Sequence, residues 1–208
     1  MIMVIAGAGG HALEVYDELN SLDSELKEHD IICLDKDLSK LIFKGNIRIL
    51  HTEEELKSEV PGSFRFCLGI GSSRIRKKIM ESLEEIGGIY FPIRSKNAII
   101  SASSSGSYDA LNQSFIGPEV KIGSGTLVNV GAKIHHEVTL GEFVEIGPGA
   151  LVLGNASVGD FTQIGAGAVI LPGVHVGANC KIGAGSVVTK NIADGSTAFG
   201  VPCRVKAV

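Results

Sequence analysis

Residues 116–145 read IGPEVK-IGSGTL-VNVGAK-IHHEVT-LGEFVE. Each block of six opens on Ile, Val or Leu, and the rule continues through Ile146, Val152, Val158, Ile164, Ile170, Val176, Ile182 and Val188. Four positions after each opener stands a small or β-branched residue, as in Val120, Thr126, Ala132, Ala150, Thr162 and Ser186. One position after most of them stands Gly, as in Gly117, Gly123, Gly141, Gly147, Gly159, Gly165, Gly177 and Gly183. A fixed six-residue period of this kind marks a β-helix. The opener points into the axis of a triangular prism, and the small residue fits the tight space at the next corner. Gly or Asn relaxes the backbone where it turns. Three hexads close an eighteen-residue coil, so residues eighteen apart stack at about 4.8 Å. No single coil buries its own core, so only the stack is stable.

Composition changes near residue 97. Of the 42 Lys, Arg, Asp and Glu residues, 29 precede it, and 18 of the 27 glycines follow it. The chain therefore divides into residues 1–95 and 96–208. Residues 93–115 carry no clean six-fold register, and Ile99 and Ile100 suggest an imperfect first coil, with a flexible linker as the alternative. A net charge of −4 gives no reason to expect nucleic acid or an anionic membrane as partner. No apolar run has the length of a membrane span, and the apolar start lacks the basic leader of a signal peptide. The cysteines Cys33, Cys67, Cys180 and Cys203 show neither metal spacing nor a disulfide framework, which suits a reducing cytoplasm.

In the first part, Met1 to Ala6 reads as a buried strand. Gly7-Ala8-Gly9-Gly10-His11-Ala12 follows, then an amphipathic helix to about Leu22. Asp30 to Asp35 and Phe64 to Ile70 read as further strands, and Gly71-Ser72-Ser73 leads into a helix from Arg74 to Ile86. Strand, Gly-rich turn, helix and strand make a βαβ signal for a Rossmann-like α/β domain with a parallel sheet. Such turns set free N–H groups at a helix start, which suits a phosphate, although Ala12 departs from the full glycine pattern. Gly7, Gly9, Gly10 and Gly71 would approach a nucleotide. Asp35 would accept from its ribose or base, or would serve as a cap or loop acid. His11 either packs at the helix start or touches substrate. Arg74, Arg76, Lys77 and Lys78 form either a solvated face or a diphosphate clamp, in which Arg76 would contact substrate.

The prism core is dry, so chemistry belongs on its outside. His136 lies two positions after a core residue and points outward. Gly154, eighteen residues on, stacks above it. A neutral imidazole is a general base for an amine or hydroxyl, a bare N–H beside it suits an oxyanion, and Glu137 could hold the tautomer. The alternative is that His135 and His136 are solvated turn residues. No close histidine pair and no column match with His175 support a metal, so none is expected.

The glycine turn, Leu34-Asp35, Gly69-Ile70-Gly71 with Ile75-Arg76-Lys77-Lys78, Asn129 to Gly141, and Gly200-Val201-Pro202-Cys203-Arg204 together resemble the sialic acid O-acetyltransferase/PglD-type sugar acetyltransferases, which are hexapeptide-repeat acyltransferases. The resemblance implies a left-handed parallel β-helix, an exception to right-handed crossovers. It also implies a homotrimer with sites at subunit interfaces, acetyl-CoA as co-substrate in the groove between prisms, and a nucleotide sugar on the first domain. His136 matches the catalytic base, Glu137 its supporting acid, Asn129 a polar neighbour and Gly154 the backbone donor. Gly165, Ala166, Ala184, Lys190 and Pro202 fall where such proteins contact CoA. Glu145 stands where close relatives have a second histidine, which changes local charge. Cys203 replaces a usual Ala and is not expected to act as a nucleophile. The nearest likeness is to N-acetyltransferases of a nucleotide-linked 4-amino-6-deoxy sugar for bacterial surface glycans. An O-acetyltransferase of sialic or another nonulosonic acid and a non-catalytic nucleotide-sugar-binding trimer are the alternatives.

Overall fold

A computed structural model describes residues 2–22 and 30–206, so Met1 of the expected first strand lies outside the described residues. The chain forms two compact units, Met1–Ile93 and Arg94–Val208.

The first unit runs β1 (Met3–Ala6), α1 (Gly10–Leu22), β2 (Ile31–Leu34), β3 (Ile42–Phe43), β4 (Ile47–Leu50), α2 (Glu53–Glu59), β5 (Phe64–Leu68), α3 (Ser73–Glu85) and β6 (Gly88–Tyr90). The sheet order is β3-β4-β2-β1-β5-β6, parallel except for β3 against β4. β1 and β2 are buried along their whole length, as strands covered on both faces must be. The chain leaves β1 toward β2 on one side and later returns to β5 on the other. The carboxyl edge between β1 and β5 is thus the topological switch point, where open α/β sheets bind ligands. The sequence reading passes over β3, β4, α2 and β6. One signal for α2 was present: Thr52-Glu53-Glu54-Glu55 is a capping box, and the Thr52 hydroxyl accepts from Glu55 N–H at 3.1 Å.

The second unit is the left-handed β-helix. One face stacks Ile99–Ile100, Phe115–Ile116, Lys133–Ile134, Leu151–Val152, Val169–Ile170 and Val187–Val188. The second stacks Ser105–Gly106, Lys121–Ile122, Thr139–Leu140, Ser157–Val158 and His175–Val176. The third stacks Asp109–Ala110, Leu127–Val128, Glu145–Ile146, Gln163–Ile164, Lys181–Ile182 and Thr197–Phe199, closed by antiparallel Arg204–Val205. Every opener from Ile116 to Val188 is buried in one continuous core. Inward hydroxyls are satisfied between coils: Thr126 donates to Gly141 O at 2.8 Å and accepts from Val144 N–H, and Thr162 does the same with Gly177 O and Cys180 N–H.

Residues 99–110 form a real first coil, not a linker. Phe115 pairs with Ile99 and Lys121 with Ser105, sixteen apart, whereas Leu127 pairs with Asp109, eighteen apart. Two residues are therefore missing from the corner between Gly106 and Asp109, which hides the coil from a six-fold search. A second two-residue contraction follows Val188, since Val176 bridges Ile192 and Lys181 pairs with Thr197.

The glycines play two roles, which corrects the expectation that the Gly after the opener eases the turn. The left-handed residue stands three positions after the opener and is Gly at 125, 131, 149, 167, 173 and 185, but Glu119, Glu137, Phe143, Asn155, Phe161 and Asn179 elsewhere. The Gly one after the opener is required by close approach. A Cβ on Gly123 would stand 2.5 Å from Glu142 N, and one on Gly159 2.5 Å from Ala178 N.

Candidate active site

His136 follows the strand Lys133–Ile134, so its side chain leaves the prism at a corner. Its Nδ1 lies 3.0 Å from Glu137 Oε2. A carboxylate can only accept, so Nδ1 carries the hydrogen and Nε2 the lone pair. One coil up, Asn155 N–H donates to His136 O at 3.0 Å, which fixes Gly154 over the histidine. A Cβ on Gly154 would stand 2.5 Å from His136 Nε2, so the imidazole rests against bare backbone.

The matching positions at another corner explain why this backbone is open. There Asp160 Oδ1 accepts from Glu142 N–H at 2.8 Å, and Asp194 Oδ1 accepts from Ala178 N–H at 2.9 Å. In the column Pro118, His136, Gly154 and Pro172 no carboxylate stands above Gly154. Among the described residues, Gly154 N–H donates to no acceptor. An exposed imidazole with its Nδ1 against Glu137 and an unspent N–H are thus side by side.

Asn129 is half-buried, and its Oδ1 accepts from Val130 N–H at 2.7 Å. Glu145 Oε2 accepts from Gln163 Nε2 at 3.1 Å, so this carboxylate is tied to the next coil. Gly165, Ala166 and Ala184 share the corner that follows the third face: Gly185 N–H donates to Ala166 O at 2.9 Å, and a Cβ on Gly165 would stand 2.5 Å from Ala184 N. The N–H groups of Ala166 and Ala184 donate to no acceptor among the described residues. A corner of small side chains with free N–H groups fits the amide-bearing arm of CoA. Lys190 and Pro202 are exposed. Cys203 is buried, and burial raises its thiol pKa, which disfavours the reactive thiolate. The sequence reading missed a cleft of about 460 Å³ on the first face, lined by Asn97, Ile99, Gln113, Ser114, Phe115, Lys133 and His135. In it the His135 ring stands edge-on to Phe115, with ring centres 6.0 Å apart.

In the first unit, Gly7 has φ +120°, and a Cβ there would meet Gly69 O at 2.8 Å. Ala12 fills the third glycine position without strain, because it faces Gly69, where any Cβ would stand 2.9 Å from its own. Gly9 and Gly10 have open space around them. Asp35 Oδ2 accepts from Ala8 N–H and Lys40 Nζ, both at 2.8 Å, and Oδ1 accepts from Asp37 N–H at 3.0 Å. Burial pushes the Asp35 carboxyl up, but Lys40 and the two N–H donors outweigh it and leave its pKa below the ordinary value. The acid expected to hold a nucleotide thus already ties the glycine turn to the loop after β2. His11 Nδ1 lies 3.0 Å from Glu14 Oε2, and its Nε2 is buried without a partner among the described residues. Gly71 is half-buried between β5 and α3. Arg76 is a correction. It is 1 % exposed, and its Nη1 donates to Leu68 O at 3.3 Å and Ile70 O at 3.0 Å. It caps the carboxyl end of β5 and is not part of a solvated face. A cavity of about 180 Å³ opens at the sheet's carboxyl edge, lined by Gly7, Leu34, Asp35, Lys36, Glu53, Ile70, Ile75 and Ile79. Among the described residues no cluster suits a metal ion, and no helix is long and apolar enough to cross a membrane.

A hexad-built β-helix with an outward histidine over a bare glycine defines a hexapeptide-repeat transferase, and residues 155–190 match the bacterial transferase hexapeptide model. Residues 3–83 match the PglD N-terminal domain. In both parts the chain resembles the PglD-type sugar acetyltransferases. The acetyltransferase domain of PglB from Neisseria gonorrhoeae FA1090, solved with acetyl coenzyme A, is 28% identical over 98% of both chains, with a TM-score of 0.90. PerB from Caulobacter crescentus, solved with CoA and GDP-perosamine, is 28% identical over 100% of this chain and 98% of its own, with a TM-score of 0.90. WeeI from Acinetobacter baumannii AYE is 25% identical over 99% of this chain and 100% of its own, with a TM-score of 0.87. Among curated protein sequences none matches.

Proposed function

We propose that the protein is an N-acetyltransferase that moves the acetyl group of acetyl-CoA to the amino group of a nucleotide-linked 4-amino-6-deoxy sugar. The product would serve bacterial surface glycan synthesis in the cytoplasm. Four buried cysteines, none in a disulfide, suit a reducing compartment. The observation that carries the chemistry is the His136–Glu137 pair resting on Gly154. His136 Nε2 holds the lone pair and takes the proton that the amine loses as it attacks the thioester carbonyl. Gly154 N–H faces the oxyanion that forms, and Glu137 steadies the imidazolium. The carbon–sulfur bond then breaks, the His136 imidazolium gives its proton to the leaving sulfur, and CoA departs as the thiol. PglD-type relatives solved with CoA and with a nucleotide-linked sugar support both substrates.

The same geometry argues for a homotrimer. His136 stands at the corner after the first face, whereas Gly165, Ala166 and Ala184 stand at the corner after the third. One prism cannot bring two of its own corners to one point. A neighbouring copy has to supply the CoA corner beside His136, and three such copies close a ring.

The test is thiol release from acetyl-CoA with UDP-, dTDP- and GDP-linked 4-amino-6-deoxy sugars and with free and CMP-linked sialic acid. We expect turnover with one amino sugar and a fall of about 10²–10⁴ in kcat for His136→Ala. Turnover with sialic acids alone would move the enzyme to O-acetylation. An unchanged rate in His136→Ala would remove the base, and no turnover or CoA binding at all would leave a nucleotide-sugar-binding trimer.

A further inference from the structure

The cavity at the carboxyl edge of the first sheet has a chemical bias that the proposed function does not use. It sits at the switch point, between the ends of β1, β2 and β5 and the first turns of α3. Its walls are Gly7, Leu34, Ile70, Ile75 and Ile79, which suit the two faces of a flat heterocycle. Its volume of about 180 Å³ leaves room for a flat ring between these walls.

The polar lining decides which base. Asp35 has spent three acceptor positions on Ala8, Lys40 and Asp37. It is left with one lone pair, which suits a single ribose hydroxyl. Glu53 is different. Ser82 Oγ donates to its Oε1 at 3.1 Å and holds the carboxylate in place, and Lys36 Nζ lies 3.6 Å from the same oxygen. A cation and a carboxylate therefore stand side by side at the cavity. Burial pushes the Glu53 carboxyl up, but its own N–H, Ser82 and Lys36 bring it below the ordinary value, so it is ionised near neutrality.

Guanine presents O6, then N1–H, then the 2-amino group: one acceptor followed by two adjacent donors. Uracil and thymine present acceptor, donor, acceptor, which sets their O2 against the carboxylate. Adenine and cytosine offer a carboxylate one amino group only. We propose that this cavity is a guanine site, with Lys36 on O6 and Glu53 bridging N1–H and the 2-amino group, so that the sugar enters as its GDP derivative. This rests on the nucleotide-sugar reading and narrows it.

Calorimetric titration of the full-length protein with GDP, IDP, UDP and dTDP tests it. IDP lacks only the 2-amino group. GDP should bind tightest, with IDP weaker by about tenfold, the scale of a lost half of a bidentate base contact. Glu53→Gln should erase most of the GDP-over-IDP preference, and Lys36→Met, on the surface, should weaken both alike. UDP or dTDP binding tightest would overturn the guanine site and leave the nucleotide-sugar reading standing. An undiminished GDP-over-IDP preference in a folded Glu53→Gln would overturn the role of Glu53. Binding of none of the four would overturn the nucleotide reading itself.

Discussion

Gly154 would serve the proposed chemistry through what it lacks. The His136 ring occupies the space a Cβ would take, so Gly154→Ala must push the imidazole away. The backbone there is not in the left-handed region and loses nothing else. We expect kcat to fall by about 10²-fold, the cost of a misplacement of about 1 Å, with the unfolding midpoint nearly unchanged. Full activity in that variant would show that the ring works from another position. Asp35 carries a different test. Its folded pKa is depressed below its unfolded value, so its ties to Ala8, Asp37 and Lys40 stabilise above about pH 4 and are lost as pH falls through the folded value. Asp35→Asn should therefore lower the melting temperature at pH 7, and the gap to wild type should close well below pH 4. A gap that persists there would mean that the charge is not what holds the glycine turn. Of these residues the sequence makes His136 and Gly154 visible, because an eighteen-residue coil states who stacks on whom. It could not show that Asp35 is already engaged or that Arg76 is buried, since both depend on how a helix and a loop pack against the sheet.

At the scale of elements, the hexad predicts a core and leaves the roles of its glycines unresolved. Both kinds stand at fixed offsets, but only the three-dimensional coil separates close approach from left-handed backbone. The two are separable by experiment. Gly149→Ala meets open space at φ +66°, where Glu, Phe and Asn stand in equivalent positions. It should cost about 1–2 kcal/mol or less. Gly123→Ala drives a Cβ into the backbone of the next coil and cannot be relieved by a side-chain rotation. Urea unfolding should show a loss of about 3 kcal/mol or more. Equal losses would refute the division. The same argument explains why the first coil was hard to see. Its register is intact in space, and only the two residues dropped between Gly106 and Asp109 break the period. The short β3, β4, α2 and β6 stayed hidden for another reason. Two to seven residues are too few for either period to stand out.

For the molecule as a whole, the three prism faces differ in what they offer a partner. The second presents Lys121, Thr139, Ser157 and His175, and the third presents Glu145, Gln163 and Lys181. The first presents Ile99, Phe115, Leu151, Val169 and Val187, interrupted only by Lys133. An apolar stripe of this length, beside the corner that carries His136, is where a second copy would bury the most surface. A trimer built there would bring the proposed CoA corner of a neighbour toward His136, as the proposed function requires. Leu151→Glu, at the middle of the stripe, should therefore convert a particle of three times 21.8 kDa into one of 21.8 kDa by light scattering. It should also abolish turnover while the circular dichroism of the β-helix persists, because the core opener Val152 points the other way and stays buried. A Leu151→Glu protein that remains trimeric and active would move the interface to another face. One that is monomeric yet fully active would show that each chain completes its own site, and the argument from separate corners would fall.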